Sequence, residues 1–549
     1  MVVPELRPWR AARPHVARFA GAVRPRLART AAAVRPRLAR LRPSRPAGAG
    51  TAAWSRITRS VAWPGTWPGA WRFTVVAATA GTVLAAGAVT TAGPWDSTGQ
   101  RKAEQDRAVT LEATRGTDHG GRGNAGTPPR GPRTAPSAPS VLTGLGGGAT
   151  TVKSAPGGKA LTGALAPLLK SPALGDLSAS VVDVSTGRSV YGDGTGDALT
   201  PASTTKIATA VAVLTALGPD HRLTTRATFE PDTKEVILVG GGDPTLTARE
   251  KNPTGSASLR DLAGRTAAAL AERGVREVTL SYDTTLYPGG QRHPIGVNPN
   301  LAALTPLMAD EARRDNSAAG PADRVADPAA DAARKFGALL KENGIKATPP
   351  GPSKSTTRAG TLAAVSSPPL ATLVERMLTH SDNDLAEALA RQTAIATGGR
   401  ADFAGASAAV RAQLQKLGVP LKGAVFKDGS GLDRGNRLTA GLLTALLVKS
   451  GDPARPELRP VLTGLPVAGF TGTLAGRYAD GTAGTAGAAG VVRAKTGTLT
   501  GVNALAGTVV DREGRLLAFA FLATGTTDPT AAQAALDKAA TALAACGCR

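Results

Sequence analysis

Apolar and polar positions alternate with changing period along this chain, and each change marks an element. "ALTGALAPLLKSPAL" (160–174) repeats its apolar residues at helical spacing and predicts an amphipathic helix. "SASVVDVSTGRSVYG" (178–192) reads as two short β-rich runs about a Ser-Thr-Gly turn, a hairpin signal. "DALTPASTTKIATAVAVLTALG" (197–218) predicts a helix opening near Pro201 and stopping at Gly218. Strand-like runs recur at "KEVILVGGG" (234–242) and "REVTLSYD" (276–283). Further on, "AKTGTLTGVNALAGTVV" (494–510) and "LLAFAFLAT" (516–524) are strands split by the turn "DREGR". The closing "DPTAAQAALDKAATALAA" predicts an Ala-rich helix packed on the sheet.

One run differs from all of these. Phe73 to Ala92 is twenty residues without a charge, bounded by Arg72 and by Pro94-Trp95, long enough to cross a hydrocarbon core. Trp54, Trp63, Trp67, Trp71 and Trp95 flank it as interfacial anchors would. The chain has 549 residues and a net charge of +24, which raises the question of nucleic acid or an anionic membrane as a partner. Residues 1–72 hold 15 arginines, no lysine and the single acid Glu5, a net of +14, so only +10 belongs to the rest. The positive-inside rule then makes 1–72 a disordered basic cytoplasmic tail, 73–93 a transmembrane helix, and the remainder of the chain extracytoplasmic. A cleaved leader competes, but 72 residues are too long for one; a disordered tail before a buried apolar helix is the plainer alternative, and a DNA-binding tail lacks aromatic interleaving or a nucleic-acid motif. Residues 94–158, rich in Gly, Pro, Ser and Thr, read as a flexible linker. The two cysteines, Cys546 and Cys548, stand so close that a bridge between them reads as strained. Five scattered histidines show no ligand spacing, so no metal site and no cofactor are expected.

Candidate chemistry begins in "PASTTKIATA", which sets Ser203 three positions before Lys206 at a helix start. Positions i and i+3 share a helix face, so hydroxyl and amine can touch without long-range folding. A serine hydroxyl needs a base within about 3 Å to attack a carbonyl. Lysine can be that base only if burial or a neighbouring cation brings its pKa well below about 10.4. A second cation is therefore expected elsewhere. The plainer alternative, a capping serine beside a solvated lysine, stands while the pair is considered alone. Two more motifs come in order: Ser381-Asp382-Asn383 in "THSDNDLAEALA", at the head of another helix pattern, and Lys495-Thr496-Gly497 at the end of a strand run.

The order S-x-x-K, S-x-N, K-T-G resembles the penicillin-binding proteins and serine β-lactamases. Ser203 and Ser381 are 178 residues apart, and Ser381 and Lys495 are 114 apart; the long first interval resembles the class C low-molecular-mass penicillin-binding proteins, the D-Ala-D-Ala carboxypeptidase/endopeptidase family S13. "GGGDPTL" (240–246), "DGSGLDRGNRLT" (428–439) and "LPVAGFTGTLAGRY" (465–478) extend the likeness over most of 160–545. The resemblance implies an α+β, transpeptidase-type fold, an antiparallel sheet flanked by helices. Residues 159–223 and 363–545 would form the catalytic domain and 224–362 an inserted smaller domain. It implies acylation of Ser203, proton transfer to Lys206, and a proton relay and substrate-amide contact by Ser381 and Asn383. Lys495 would depress the pKa of Lys206 and, with Thr496 and Thr498, hold the substrate carboxylate. The backbone N–H groups of Ser203 and Thr498 would form an oxyanion hole. Gly497 would leave room along the strand edge for substrate.

The same resemblance implicates two further residues. Arg434, in "DGSGLDRGNRL", and Asp283, in "SYDTTLYPGG", would face the pocket and read the charged end of a stem-peptide side chain; a solvated loop role is the alternative for each. Asp433 stands where the family often has Ser. "GGGDPTL" reads as a structural glycine turn, and His380 as a packing or surface residue. The partners implied are peptidoglycan stem peptides and, as covalent inhibitors, β-lactams. Two other functions remain open: a β-lactamase, against which residues 414–419 ("LQKLGV") offer no deacylating Glu, and a non-enzymatic, membrane-tethered peptidoglycan-binding protein.

Overall fold

The structure is a computed structural model that describes residues 158–252, 254–478, 485 and 487–547. The basic tail, the apolar run at 73–92 and most of the linker lie outside the described residues. No helix among the described residues is long and apolar enough to cross a membrane.

The chain first lays down α1 (Gly158–Leu169), the hairpin β1 (Asp176–Asp183) and β2 (Ser189–Asp193), and the short β3 (Ala198–Leu199). Helix α2 (Thr205–Leu217) comes after them, closed by Gly218 as its sequence requires. A second group comes next: β4 (Thr224–Glu230), β5 (Glu235–Val239), α3 (Leu259–Glu272), β6 (Glu277–Asp283), α4 (Pro328–Glu342), β7 (Lys346–Ala347), β8 (Gly351–Pro352) and β9 (Gly360–Ser366). Then come α5 (Leu370–His380), α6 (Asn383–Ala396), α7 (Phe403–Lys416), β10 (Leu438–Thr439), α8 (Ala440–Gly451) and α9 (Arg459–Thr463). The long strands β11 (Val492–Leu499), β12 (Val502–Val510) and β13 (Leu516–Thr524) precede the final helix α10 (Pro529–Ala545).

The main sheet is antiparallel, ordered β11-β12-β13-β1-β2. Its alternation is clean, because both faces are covered and each face wants a different size of side chain. On β13, Leu517, Phe519, Phe521 and Ala523 join the core shared with α1 and α10, while Ala518, Ala520 and Leu522 face the core shared with α2. The small residues on that second face let α8 lie close, with α2 packed beyond it. Residues 205–214 of α2 are all buried, as expected of a helix apolar on every side. Helices α5, α6, α7 and α8 form the shell around it.

The inserted segment builds its own sheet, ordered β7-β6-β5-β4-β9 with β8 also paired to β6. It mixes antiparallel pairs, β4 with β5 and β9, and parallel pairs, β5 with β6. Helices α3 and α4 cover it through a separate apolar cluster that includes Leu262, Leu270, Phe336 and Leu340. β9 runs to Ser366, a few residues past the expected end of the insert. Gly240–Gly242 form the expected turn: a Cβ on Gly241 would sit 2.1 Å from the Thr224 carbonyl oxygen. At the C-terminus, Cys546 is disulfide-bonded.

Candidate active site

Three local devices position the motif residues. The first is a 3₁₀ turn, Ala202–Thr204, ahead of α2, with Ala202 held at φ +47°. Thr204 and Thr205 donate their hydroxyls to the carbonyls of Pro201 (2.7 Å) and Ala202 (2.9 Å), which satisfies the turn internally. Ser203 therefore sits on the turn and Lys206 in the first turn of the helix, and Lys206 Nζ donates to Ser203 Oγ at 2.9 Å.

The second device is the join of α5 to α6. Ser381 ends α5 in the left-handed region, φ +57°, where glycine is usual. Asp382 caps α6 by accepting from Leu385 N at 3.0 Å, and Asn383 is the first helical residue. A non-glycine residue in that conformation is strained, and such strain is characteristic of functional sites. Asn383 Oδ1 accepts from Lys206 Nζ at 2.6 Å, and its Nδ2 donates to Asn300 O at 2.9 Å.

The third is the edge strand β11. Alternation turns Lys495 and Gly497 towards the Ser203 turn. Lys495 is fully buried and donates to Thr496 O at 2.8 Å; Thr496 and Thr498 line the cleft. A Cβ on Gly497 would lie 2.7 Å from Pro201 O and 3.0 Å from Ala504 Cβ. Gly431, at φ +85°, closes from another segment: its Cβ would fall 1.9 Å from Ala202 O. Two glycines thus clamp the nucleophile's turn. The steric need for Gly497 is contact with this turn, rather than the clearance for substrate that its sequence setting suggests.

These devices open on a cleft of about 420 Å³ lined by Ser203, Ser381, Asn383, Thr496 and Thr498, together with Arg477 and Thr473. His380 also lines it, its pKa lowered first by burial and then by Arg376. Lys206 is fully buried, and burial lowers its pKa to about 8 against the pull of Asp428, Glu387 and Asp382. Desolvation is thus the first cause of the depression, one of the two routes, burial or a neighbouring cation, that the sequence leaves open. Lys495 is itself pushed well below the usual lysine range by burial, then by Lys206 and Arg477.

Sequence reasoning missed the floor of the site. Ser430 O accepts from Lys206 Nζ at 2.7 Å. Its loop hangs on two buried carboxylates: Glu387 accepts from Ser430 N (2.8 Å) and Gly429 N (3.1 Å), and Asp428 from Gly431 N (2.7 Å) and Asn436 Nδ2 (2.8 Å). His293 Nε2 meets Asp428 Oδ2 at 3.0 Å. Burial raises Glu387 to about 7, with Asp428 adding to it. It missed, too, a cluster contributed by the insert. Asp310, Glu311 and Ala312 all have φ near +54°, a left-handed turn that aims Glu311 at Arg313 (2.8 Å) and Arg376. Arg324 pairs with Asp384 at 3.0 Å. Burial raises Glu311 to about 7 and Asp384 to about 6. Each group of three acidic or histidine side chains, His293-Glu387-Asp428 and Glu311-Asp382-Asp384, is engaged by protein partners.

Asp283 is not brought to the cleft. It is buried at the end of β6, where Oδ1 accepts from Thr285 N (2.7 Å) and Oδ2 from Ser355 N (2.9 Å), so both oxygens serve the insert's own loops. Arg434 is exposed, and Nη2 donates to Thr500 O at 2.8 Å, just beyond the end of β11 and outside the residues lining the cleft.

The sequence matches the D-Ala-D-Ala carboxypeptidase 3 (S13) family over residues 161–300 and 313–545. It is 38% identical over 403 residues to carboxypeptidase DacB of Mycolicibacterium smegmatis, covering 71% of this chain and 85% of that one. With a D-alanyl-D-alanine carboxypeptidase of an Actinomadura species it shares 30% identity over 440 residues, 66% of this chain and 80% of the other. Among solved structures, penicillin binding protein 4 from Haemophilus influenzae matches with a TM-score of 0.56 at 21% identity, covering 70% of this chain and 97% of that one. That likeness concerns the fold.

Proposed function

The chain belongs to the D-Ala-D-Ala carboxypeptidase 3 (S13) family and is a serine-type D-Ala-D-Ala carboxypeptidase; from that premise we propose how its residues divide the chemistry. Ser203 Oγ attacks the carbonyl of the penultimate D-Ala while its proton passes to Lys206 Nζ. With a pKa of about 8, roughly one Lys206 in ten is free base at pH 7, against about one in three thousand for an ordinary lysine. The proton then reaches the departing D-Ala amine through Ser381, leaving an ester on Ser203. Water, deprotonated by Lys206, cleaves that ester and releases the shortened peptide.

Asn383 orients Lys206 and offers its amide to the acyl side chain. Lys495, Thr496 and Thr498 hold the terminal carboxylate. The backbone N–H groups of Ser203 and Thr498 stabilise the oxyanion, each worth about 3 kcal/mol in the transition state. The reading is carried by one observation: a fully buried amine bonded at once to Ser203 Oγ, Asn383 Oδ1 and Ser430 O.

The same cleft takes peptidoglycan stem peptides, including cross-linked ones cut by endopeptidase action, and is acylated covalently by β-lactams. Residues 73–93 tether the enzyme to the plasma membrane with residues 159–545 outside, on the strength of the flanking charge asymmetry. Fluorescent penicillin applied to wild type and Ser203→Ala tests the assignment: label is expected on wild type alone. Label persisting on Ser203→Ala removes Ser203 from its role, and rapid spontaneous loss of label from wild type favours the β-lactamase reading.

A further inference from the structure

Two cavities of nearly equal size share a thin wall. The first is the cleft just described; the second, about 430 Å³, is lined by Arg292, Val297, Leu301, Arg314, Ala322 and Val325 among others. Asn300 lines the first cavity, its neighbours Pro299 and Leu301 line the second, and Arg324 lines both. The wall is fastened to the second motif at three points. Asn383 Nδ2 donates to Asn300 O (2.9 Å), Ala302 N donates to Asp384 Oδ1 (2.9 Å), and Arg324 pairs with Asp384 Oδ2 (3.0 Å).

The lining defines the class of ligand. Arg292 and Arg314 face one acid, Asp323, while Arg324 is already paired with Asp384, so the cavity carries one net positive charge. His293 does not add to it, since its ring nitrogens are taken by Asp428 (3.0 Å) and by Ile295 N (3.2 Å). The floor is apolar, with Leu301, Ala302 and Ala322 buried and Val297 exposed at the rim. The Arg324 side chain is only 7% exposed, and its Nε has no hydrogen-bond partner among the described residues. A cavity of this volume with few polar groups over an apolar floor suits a short peptide segment.

We propose that this second cavity binds a carboxylate-bearing peptide strand, the second stem peptide of a cross-linked substrate, while the first holds the bond to be cut. The proposal rests on the carboxypeptidase reading and extends it to the substrate's other arm. A strand seated there presses on the wall that positions Asn383, so the two arms are read together. Arg292 and Arg314 are exposed and outside the catalytic cleft, which makes Arg292→Glu/Arg314→Glu a clean probe in the full-length protein.

Three rates are to be measured on wild type and this variant: turnover of a cross-linked stem-peptide dimer, turnover of a short N-acylated D-Ala-D-Ala peptide, and penicillin labelling. The variant is expected to raise KM for the dimer about tenfold, as two reversed surface charges would, with the short peptide and labelling unchanged. An unchanged dimer KM, or equal losses on dimer and short peptide, overturns the second site. Absence of short-peptide turnover and of labelling in wild type would instead overturn the carboxypeptidase reading, so the two failures are distinct.

Discussion

Glu387→Gln isolates the electrostatics of the general base. Glu387 lies beneath the site, and its carboxylate receives the N–H groups of Gly429 and Ser430, whose carbonyl in turn receives Lys206 Nζ. Its negative charge favours the ammonium form of Lys206 and so opposes burial, which holds the amine at about 8. Glutamine keeps an acceptor oxygen for the loop and removes the charge. Only the free amine can take the Ser203 proton, so acylation belongs to the alkaline side of the titration. From a midpoint of about 8, the free base is about 1% at pH 6, about 9% at pH 7 and half at pH 8. The acylation rate should therefore climb about tenfold from pH 6 to 7, about fivefold from 7 to 8, and then level. Losing a negative neighbour moves the midpoint down by about one unit. Glu387 itself sits at about 7, so at pH 7 about half of the wild-type molecules already lack its charge, and the variant should acylate about twofold faster than wild type, a gain of rate from removing a buried group. Stopped-flow acylation by a chromogenic β-lactam between pH 5.5 and 9.5 reads both curves. A flat wild-type profile from 6 to 8, or a midpoint displaced upward in the variant, refutes the reasoning.

Other substitutions probe the frame. Gly497→Ala places a methyl against Pro201 O and Ala504 Cβ, and should cost about 1–3 kcal/mol by overpacking while slowing penicillin labelling at least tenfold; a normal labelling rate would show that β11 does not clamp the nucleophile's turn. Asp283→Ala frees the N–H groups of Thr285 and Ser355 and should lower the melting temperature with KM unchanged; a KM rise confined to peptides with a cationic side chain would put Asp283 back in the pocket. Arg477 and Asp537 pair where their side chains are only 11% and 9% exposed, so Arg477→Ala should destabilise by about 3–5 kcal/mol. Arg477→Leu/Asp537→Leu should recover most of that loss on thermal unfolding, and no recovery would deny that the stranded carboxylate is its cause.

The legibility of this chain in its sequence tracks the range of the interactions. Ser203 with Lys206, and Ser381 with Asn383, sit within one turn of backbone, so spacing alone reports that they can meet. The strands of the main sheet are legible because two buried faces leave long runs of Val, Leu, Phe and Ala. Hidden from the sequence is anything made by polar residues from separate segments. Asn300 and Asp428 lie in loops whose sequence has no period, and Glu387, on α6, acts on Lys206 only through the Gly429–Ser430 loop. Arg313 and Arg324 enter the cleft from the insert, and nothing local distinguishes them from the chain's other arginines. The misplacement of Asp283 has the same origin, since an Asp after a strand can serve a neighbouring loop as easily as a ligand. Which of the two routes, burial or a neighbouring cation, comes first at Lys206 is hidden for a related reason: desolvation depends on every segment packed round the amine.

The order of strands in the main sheet has a consequence for biosynthesis. β1, near the start of the folded region, lies between β2 and β13, with Asp176 opposite Thr524. A ribosome will have made the nucleophile and its base some three hundred residues before the strand that completes their scaffold. Contacts of such sequence separation form late and slowly, whereas the inserted sheet can close on neighbours already synthesised. An unfinished chain therefore carries its reactive hydroxyl without the means to use it, and hydrolytic power arrives only when the last strand is threaded between its partners.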